Sequence, residues 1–596
     1  MLGLGLLWQA ALGGGGFAPA LFVDSVNGSD SNNGLTLSTA LRTIAAAQTA
    51  LASSGTSIGF AAGSYWREQF NIPRNNFTVV VVGTGNPPVF DGADLAGTWT
   101  RHADTVNFPD VWQQTWVRSS AAPSATEVLG LWADGVRPTY QTSLANLQAN
   151  GGWNAISRTA ASTTVYIKSV ADPNSSGVVY EITKRDFGIN GNAPNATYTG
   201  TLTGPIEAKR CLGHYNAVMG PGSLTTVASS VKQALVRDGT VHHIVLSADV
   251  IEDIIAIEGY PSFTTQWIPI TAYRSEGVGF TPTLKRCFVK GIGLAENAIG
   301  IYSHASTNGG NTDSSTYEQC YVESIQGMQA GTLDFASNGC YMNGAPVSIN
   351  QPNVNVKHLL SRHIIAAAGH SGVVDAGPVD ASAKTRLIEN CVFYVAPGAN
   401  GNASRVNLAT RNGSIVIRNC IFFFDSPASW LGFSLNAANA GQLSVQYEYC
   451  IFISDVFSAG ALTFTNSPAI TADHNIFINA NAARWNYNGT AYANLAAWRA
   501  FSGQDLNSVV LSGANMATIK STYFNGDPAN GDFRLKPGLG TFGDGVSLNL
   551  AGPQEYWDWN ARGVASGAPQ KWPVPPANLS EYRSYIANPA SWNFYP

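Results

Sequence analysis

Two aspartates at matching positions of a repeated segment are the residues of this sequence best placed to do chemistry. Five short segments align with one another: TLDFAS (332–337), VVDAGP (373–378), RVNLAT (405–410), GFSLNA (432–437) and ALTFTN (461–466). Because side chains alternate between the faces of a strand, the alignment predicts an outward column of Asp334, Asp375, Asn407, Ser434 and Thr463. Stacked strands lie about 4.8 Å apart, so we expect Asp334 and Asp375 to be neighbours. Two carboxylates this close raise the pKa of one of them, as in a general acid beside a base or nucleophile.

Other side chains lie near this pair in the repeat. Tyr302 and His304 belong to the preceding segment AIGIYSH, His370 comes shortly before Asp375, and Asp380 follows in the next loop. A histidine or tyrosine there could instead abstract a proton α to a uronate carboxyl group, which is lyase chemistry. The candidate catalytic residues are therefore Asp334, Asp375, His370, His304 and Tyr302, and the candidate substrate-binding residues are Asn407, Ser434 and Asp380. The same column could also be solvated surface or bind a structural cation.

A second candidate face comes from an earlier segment. Asp249, Glu252, Asp253 and Glu258 alternate with isoleucines in SADVIEDIIAIEG. His242 and His243 lie on a nearby apparent strand, where we expect them to be structural.

A recurring cysteine frame defines the elements that position these residues. LKRCFV (284–289), YEQCYV (317–322), IENCVF (388–393), IRNCIF (417–422) and YEYCIF (447–452) each carry a cysteine between polar and apolar residues. AKRCLG (208–213), LSRHII (360–365) and ADHNIF (472–477) fit the frame with Cys211, His363 and Asn475 in the cysteine position, and VHHIVL (241–246) is a further candidate copy. Units of about 25 to 30 residues without a helix are typical of a β-solenoid, whose coils stack to form a common core.

The cysteines are then an internal ladder, because small and weakly polar thiols suit a narrow interior. The chain has seven cysteines, an odd number, with no zinc-binding spacing. We therefore expect neither a disulfide framework nor a metal site built on them.

Composition limits the possible partners. Only 12% of the residues are charged and the net charge is −5, which gives no reason to expect a nucleic-acid partner. No stretch of 18 or more apolar residues follows the N-terminus, so we expect no membrane span. The start, MLGLGLLWQAALGGGGFAPA, lacks Lys or Arg before its apolar run. It is interpreted as a retained Gly-rich attachment segment, with a secretory signal as the alternative.

The pattern along the chain divides it into five parts. Residues 1–20 are the attachment segment, 21–97 the N-terminal cap and first coils, 98–205 a β-rich insertion, 206–480 the core, and 481–596 a C-terminal capping region. A helix capped by Ser38 or Thr39 follows the Asp- and Asn-rich stretch FVDSVNGSDSNNG. We interpret that stretch as a turn before the helix rather than a calcium loop. A short helix at 490–501 is expected to help shield the last coil, whose open edge would otherwise pair with other chains.

Several motifs resemble one known superfamily. FVDSVNGSDSNNGLTLSTALRTIAAA resembles the N-terminal cap of right-handed parallel β-helix proteins of the pectate-lyase-like superfamily. GSYWRE (63–68), FSGQDLNS (501–508) and GDFRLKPG (531–538) resemble the first coil and C-terminal region of those proteins. The resemblance implies an all-β, right-handed parallel β-helix over about residues 21–97 and 206–545. It carries over no catalytic residue, because the basic catalytic motif of the lyases has no match here and fold does not fix function.

The expected function follows from the shape and composition of such a sheet. A long face rich in Asn, Ser, Thr and aromatic residues suits an extended polyhydroxylated chain, and 15 Trp and 22 Tyr allow stacking on sugar rings. We expect a phage tailspike-like depolymerase that cleaves bacterial surface polysaccharide. Such a protein would be a homotrimer in the virion tail or outside the cell, bound to other tail proteins through its N-terminus. The alternatives are a secreted monomeric polysaccharide lyase and a non-catalytic receptor-binding fibre. No cofactor is expected, apart from a possible calcium ion.

Overall fold

The computed structural model of this chain describes residues 18–591 except 53–54, 75, 118–129, 157–161, 186, 191, 194–195, 198–199, 212–229, 239–241, 247–249, 258–267, 275–282, 291–300, 306–313, 325–346, 350–352, 358–359, 364–372, 377–383, 390, 396, 398–404, 410–412, 419, 426–431, 437–442, 455–461, 466–467, 480–484, 514, 525–526, 529–540, 543–545 and 548–577.

Two large sheets contain most of the described strands. Sheet A has 22 strands: Phe22–Val23, Ser57–Ala61, Tyr65–Trp66, Phe77–Val82, Val89–Asp91, Gly200–Lys209, Ser230–Arg237, Val250–Ile257, Thr283–Lys290, Ser314–Glu318, Tyr321–Ser324, Asn353–Lys357, Leu360–His363, Lys384–Glu389, Val392–Val395, Gly413–Arg418, Ile421–Phe424, Leu443–Glu448, Ile451–Ser454, Ala469–Asp473, Ile476–Asn479 and Val509–Ser512. Sheet B has ten strands: His242–Leu246, Ile268–Arg274, Ile301–Ala305, Val347–Ile349, Val373–Ala376, Arg405–Ala409, Gly432–Asn436, Leu462–Thr465, Trp485–Tyr487 and Thr490–Tyr492. Their described pairings are parallel, except that the last two strands of sheet B are antiparallel. The expectation of a mainly β chain is confirmed.

One repeat contributes two strands to sheet A and one to sheet B. The strands Ser314–Glu318, Tyr321–Ser324 and Val347–Ile349 form such a repeat. Each pairs in parallel with its counterpart in the next repeat, which are Asn353–Lys357, Leu360–His363 and Val373–Ala376. Equivalent residues therefore form columns that run across both sheets.

A left-handed backbone residue marks the corner within each of six repeats of sheet A. The residues concerned are not glycines, and their φ values lie between 50° and 62°: Gln233, Asp253, Arg286, Gln319, Tyr449 and His474. This conformation costs a residue with a side chain roughly 1 kcal/mol or more, so the pairing on both sides must hold it in place.

Cysteines occupy the interior directly after several of these corners. Cys287, Cys320, Cys391, Cys420 and Cys450 are buried and form no disulfides. Each thiol lies within donor distance of a carbonyl oxygen in the preceding repeat, as between Cys420 Sγ and Ile388 O at 3.6 Å. Burial raises the pKa of the Cys287 and Cys420 thiols, which keeps them protonated and able to donate. The predicted ladder is confirmed for these five cysteines.

Asn475 takes the cysteine position of the next repeat, as predicted. Its Nδ2 donates to Tyr447 O at 3.1 Å and to Asp505 Oδ1 at 2.9 Å, and its Oδ1 accepts from Cys450 N at 2.9 Å. Asp505 also accepts from Tyr447 Oη at 2.8 Å and from Trp498 Nε1 at 2.9 Å. All these groups are buried, so the motif FSGQDLNS supplies a carboxylate that satisfies the polar atoms at this end of the core.

Three predicted copies of the cysteine frame are wrong. The register aligns Ile206 with Ala234, Ile254 and hence Cys287, so Cys211 lies five residues beyond the cysteine position. His363 pairs with Val395 rather than aligning with Cys391, because Leu360 pairs with Val392. VHHIVL contributes its strand to sheet B and not to sheet A. The letters fit the frame at these sites, but strand pairing decides the position.

The Asp- and Asn-rich stretch forms hydrogen-bonded turns ahead of the first α-helix. Asp24 Oδ1 accepts from Val26 N at 2.9 Å and Asn27 N at 3.0 Å. Asp30 Oδ1 accepts from Arg42 N and Thr43 N, both at 2.9 Å. The side chain of Thr43 caps the α-helix, so the predicted caps Ser38 and Thr39 are wrong. Both residues lie within the short 3-10 helix Leu37–Thr39, which ends four residues before Thr43.

The motif GSYWRE connects the N-terminal cap to the first strands through hydrogen bonds. Ser64 Oγ accepts from Ser25 N at 3.1 Å, and Trp66 Nε1 donates to Arg42 O at 2.9 Å. Glu68 Oε2 accepts from Ala45 N at 2.9 Å, in the first turn of the helix. Each contact joins the segment 63–68 to residues that precede it by about 20 to 40 positions.

The helices of the described chain are few and short. The α-helices are α1 Ile44–Leu51, α2 Leu144–Asn150, α3 Leu495–Ser502, α4 Met516–Tyr523 and α5 Leu579–Ala587, and the 3-10 helices are Leu37–Thr39 and Pro589–Ser591. In this part of the chain no helix combines the length and apolar character needed to cross a membrane.

Small sheets occupy the region predicted to be a β-rich insertion. One antiparallel sheet has strands Ala93–Leu95, Leu131–Ala133 and Tyr180–Thr183, and another has Thr100–Arg101, Val111–Val117, Trp153–Ile156 and Ser162–Lys168. Two-stranded pairs of this region are Phe70–Asn71 with Ile189–Asn190 and Asn192–Ala193 with Ala196–Thr197. A further pair, Thr541–Phe542 with Val546–Ser547, lies in the C-terminal region. Buried Trp99, Trp116 and Trp153 form much of the core of the antiparallel region. Residues 200–205, assigned to the insertion from sequence, lie in a strand of sheet A.

C-terminal helices cover two different parts of the core. Leu495 and Trp498 of α3 pack into the main interior beside Trp485. Helix α3 corresponds to the helix predicted at 490–501, but it begins five residues later. Helices α4 and α5 instead pack on a separate apolar cluster formed by alternate residues of sheet A, including Val392 and Ile421. The C-terminal region thus covers the flank of sheet A as well as the end of the stack.

Replacing Asn475 with Ala should destabilise the fold by about 2–4 kcal/mol, because Cys450 N, Tyr447 O and Asp505 Oδ1 lose a buried partner. Chemical denaturation of the purified variant measures the change. Ser444→Ala, at an exposed position of sheet A, is the control and should change the free energy of unfolding by less than about 0.5 kcal/mol. Equal stability of the two variants would contradict the role assigned to Asn475.

Candidate functional site

One column of sheet B aligns several residues that can form hydrogen bonds. Its Cα partners run through Thr271, Tyr302, Ser348, Val374, Asn407, Ser434, Thr463 and Asn486. At its C-terminal end Thr463 is partly exposed, whereas Leu462 and Phe464 on either side are fully buried. Thr463 therefore lies on the outer face of sheet B. The register brings together three of the predicted site residues, Tyr302, Asn407 and Ser434.

His304 lies two residues after Tyr302 on the strand Ile301–Ala305. Its Cα partner is Tyr273 on the strand Ile268–Arg274. The sequence-based assignment did not include Tyr273. Strand alternation along IPITAYR would assign Tyr273 to the same side of the strand as Thr271. That Tyr273 pairs with His304, however, is known only from the strand register.

The predicted position of Asp375 is wrong by one residue. Val374, and not Asp375, pairs with Asn407, while Asp375 pairs with Ile349 on one side and Leu408 on the other. Asp375 thus shares a column with Leu408, Leu435 and the fully buried Phe464. A slip of one residue moves a position to the other face of a sheet.

The expected ladder pair of Asp334 and Asp375 is also wrong. The strand that precedes Val373–Ala376 in sheet B is Val347–Ile349, and not the segment 332–337 used in the alignment. Asp334, His370 and Asp380 lie outside the described residues. The catalytic and binding roles of all the assigned residues stay predictions.

The second predicted carboxylate face is occupied by ion pairs. Glu252 pairs with Lys232 at 2.9 Å and with Arg286 at 2.6 Å, and Asp253 also pairs with Arg286. Burial raises the pKa of Asp253. Burial acts in the same direction on Glu252, but the hydrogen bond from Lys232 and the charge of Arg286 hold the pKa of Glu252 below its usual value. Asp249 and Glu258 lie outside the described residues.

A cluster of buried charges, absent from the sequence-based assignment, joins the first strands of sheet A to the antiparallel region. We define the Asp91 cluster as Tyr65, Arg67, Asp91, Glu181, Lys209 and Arg210. Arg210 pairs with both Asp91 and Glu181, and Glu181 also pairs with Arg67. Tyr65 donates its hydroxyl hydrogen to Asp91. These residues come from four distant segments, so no local motif indicates the cluster.

The electrostatics of the Asp91 cluster keep its carboxyl groups ionised. Burial alone would raise the pKa of Asp91, but hydrogen bonds from Arg210 and the charges of Lys209 and Arg210 hold that pKa below its usual value. Hydrogen bonds from Arg210 and Arg67 likewise outweigh burial and lower the pKa of Glu181. Neither carboxyl group suits a general acid. Among the described residues, no three His, Cys, Asp or Glu side chains converge as a metal site.

Comparison with known proteins gives no family. No protein-family model matches the sequence, and no curated protein matches it. Similar solved structures include XylC in complex with xylose, with 11% identity, a TM-score of 0.44, and coverage of 82% of this chain and 85% of that chain. A glycoside hydrolase has 10% identity, a TM-score of 0.29, and coverage of 82% and 99%. The GH136 lacto-N-biosidase from Eubacterium ramulus has 9% identity, a TM-score of 0.22, and coverage of 83% and 67%. With TM-scores this low, these similarities carry no argument about activity.

Replacing Glu181 with Gln should lower the free energy of unfolding by about 3–5 kcal/mol, because the buried Arg210 and the partly exposed Arg67 both lose a charged partner. Thermal and chemical unfolding measure this change. The control is Glu318→Gln, which alters a half-exposed pair with Lys285 at 3.9 Å and should cost less than about 1 kcal/mol. If both variants lose the same stability, the Asp91 cluster contributes no more to the free energy of unfolding than a surface ion pair.

The stability provided by Asp91 and Glu181 should disappear in acid. Their pKa values are lower in the folded than in the unfolded chain, so the unfolded chain takes up protons first as the pH falls. The contribution is therefore complete above the usual carboxyl range near pH 4 and is lost as the pH drops below it. Unfolding measured from pH 7 to pH 3 should show the wild type and Glu181→Gln converging. A difference that does not change with pH would contradict this assignment.

Proposed function

We propose that this chain is a carbohydrate-directed protein that binds an extended polysaccharide across sheet B. The observation that carries the proposal is the register that aligns polar residues at six of seven successive strands, with Val374 at the third: Tyr302, Ser348, Asn407, Ser434, Thr463 and Asn486. From Asn407 to Asn486 the hydroxyl and amide groups repeat at every strand, about 4.8 Å apart, which suits the regularly spaced hydroxyl groups of a sugar chain. From Tyr302 to Asn486 the column crosses seven strands, a length of about 29 Å.

We infer that the repeats wind as a right-handed parallel β-helix. The support is that each described repeat pairs strand by strand with the next, and that parallel crossover connections are strongly biased to the right hand. In such a winding the outer face of sheet B is a continuous lateral surface. A linear polymer can then contact several repeats at once, which favours a polymer over a single small sugar.

In this proposal the protein is a depolymerase of the phage tailspike type, acting on bacterial surface polysaccharide. The proposed acid, base and nucleophile come from Asp334, His370, His304 and Tyr302, with Asn407, Ser434 and Asp380 holding the substrate. His304 lies two residues after Tyr302 of the polar column, and this supports proton transfer at that strand. A homotrimer attached to the tail through residues 1–20 belongs to the same proposal, and light scattering that shows a monomer would count against it.

Incubation with capsular, O-antigen and uronate polysaccharides tests the activity. Absorbance at 235 nm reports elimination, and a reducing-end assay reports cleavage by either chemistry. We expect an increase in reducing ends with at least one polysaccharide. Binding without cleavage would favour the receptor-binding fibre, and neither binding nor cleavage across the panel would contradict the proposal. Asp334→Asn tests the proposed carboxylate, since unchanged cleavage in that variant would exclude Asp334 from the reaction.

The double variant Asn407→Ala, Ser434→Ala tests the polar column. Loss of two hydrogen bonds should weaken polysaccharide binding by about 1–3 kcal/mol, or roughly 5- to 150-fold. Isothermal titration with the polysaccharide found in the panel measures the affinity. Ser444→Ala, on sheet A, is the control and should leave binding unchanged. Equal affinity of the double variant and the wild type would exclude this column as the binding surface.

A further inference from the structure

The exposed part of the Asp91 cluster has the composition of a ligand site. The Tyr65 residue is 39% exposed although its hydroxyl group is held by buried Asp91. Lys209 Nζ lies 5.1 Å from the centroid of the Tyr65 ring, and the guanidinium carbon of Arg67 lies 5.9 Å from it. An accessible aromatic ring is thus flanked by an ammonium and a guanidinium group.

The cations of this cluster outnumber its carboxylates. Arg67, Lys209 and Arg210 face two carboxylates, Asp91 and Glu181. Among the neighbouring ion pairs, Arg237 and Arg583 face Glu207 and Asp238, while Lys184 and Arg185 share the single carboxylate of Asp94, so these pairs do not remove the excess. The chain as a whole has a net charge of −5, so this local positive excess is opposite in sign to the charge of the whole chain.

The excess falls mainly on Lys209. Asp91 Oδ1 accepts from Ala93 N and Arg210 Nε, both at 3.0 Å, and Oδ2 accepts from Tyr65 and Arg210. The Lys209 ammonium group shares this crowded Oδ2 at 3.3 Å. The Lys209 side chain is only 16% exposed, and burial followed by the repulsion of Arg210 and Arg237 lowers the pKa of Lys209 despite the nearby Asp91. An incoming anion would relieve this repulsion.

We propose that Tyr65, Arg67 and Lys209 form a binding site for a sugar that carries a carboxylate, such as a uronic acid residue. The carboxylate accepts hydrogen bonds from the Lys209 ammonium and the Arg67 guanidinium, whose charge-assisted bonds are stronger than neutral ones. The sugar ring lies against Tyr65, which offers an accessible apolar surface. This site lies at the first strands of sheet A, and its occupation does not require the polar column of sheet B.

Titration of the full chain with oligomers of glucuronate, neutral glucose oligomers and acetate tests the site. We expect glucuronate to bind more tightly than either the neutral oligomer or acetate, and to bind less tightly as salt is added. Lys209→Met should weaken glucuronate binding roughly tenfold or more, and Lys209→Arg should retain most of it. Lys232→Met, which removes another lysine of sheet A, is the control and should leave the affinity unchanged.

The proposal is wrong if Lys209→Met binds glucuronate as tightly as the wild type, or if the neutral oligomer or acetate binds equally well. A second readout does not depend on the folding of a variant. Bound glucuronate should protect Lys209 of the wild-type chain from amine acylation, as measured by mass spectrometry of the Lys209 peptide. Unprotected Lys209 at saturating glucuronate would also overturn the proposal. The sheet B proposal is tested separately, because it predicts weaker binding in the double variant Asn407→Ala, Ser434→Ala, and unchanged binding there would exclude it without affecting the Lys209 site.

Discussion

The in-register stacking of parallel strands is the constraint on which the rest of the structure depends. Six described repeats of sheet A turn a corner through a residue in the left-handed region, such as Gln319 or Tyr449, and the next residue enters the core. The cost of that backbone conformation is offset only when the strands on both sides are paired with their neighbours. A thiol, or the amide of Asn475, then bonds to the carbonyl of the preceding repeat. Every outward column inherits its alignment from this arrangement.

The sequence predicts this interior well because the same requirement recurs in every repeat. The cysteine frame identifies five members of the ladder and also Asn475, whose amide replaces the thiol as a donor. It fails at Cys211 and His363, where similar letters lie at positions that the pairing does not align. A sequence pattern identifies residue types within one segment. Which residues of neighbouring repeats align is decided by the strand pairing, which the pattern does not contain.

The unknown strand register also explains why the candidate site was predicted only in part. Tyr302, Asn407 and Ser434 fall in one column as expected, but Asp375 lies one position away from it. The alignment assumed that residues 332–337 supply the preceding strand, and Val347–Ile349 supplies it instead. The Asp91 cluster could not be predicted at all, since Arg67, Glu181 and Arg210 come together only through the pairing of distant strands and the docking of the antiparallel region.

The stacked core, the polar column of sheet B and the Asp91 cluster are separate parts of the molecule, and we propose that an extended sugar chain binds to sheet B. Hydrogen–deuterium exchange with and without a saturating polysaccharide tests that claim most directly. We expect protection of the strands Ile301–Ala305, Arg405–Ala409 and Gly432–Asn436 and of the loops beside them. Protection confined to sheet A or to the antiparallel region, with these three strands unchanged, would contradict it.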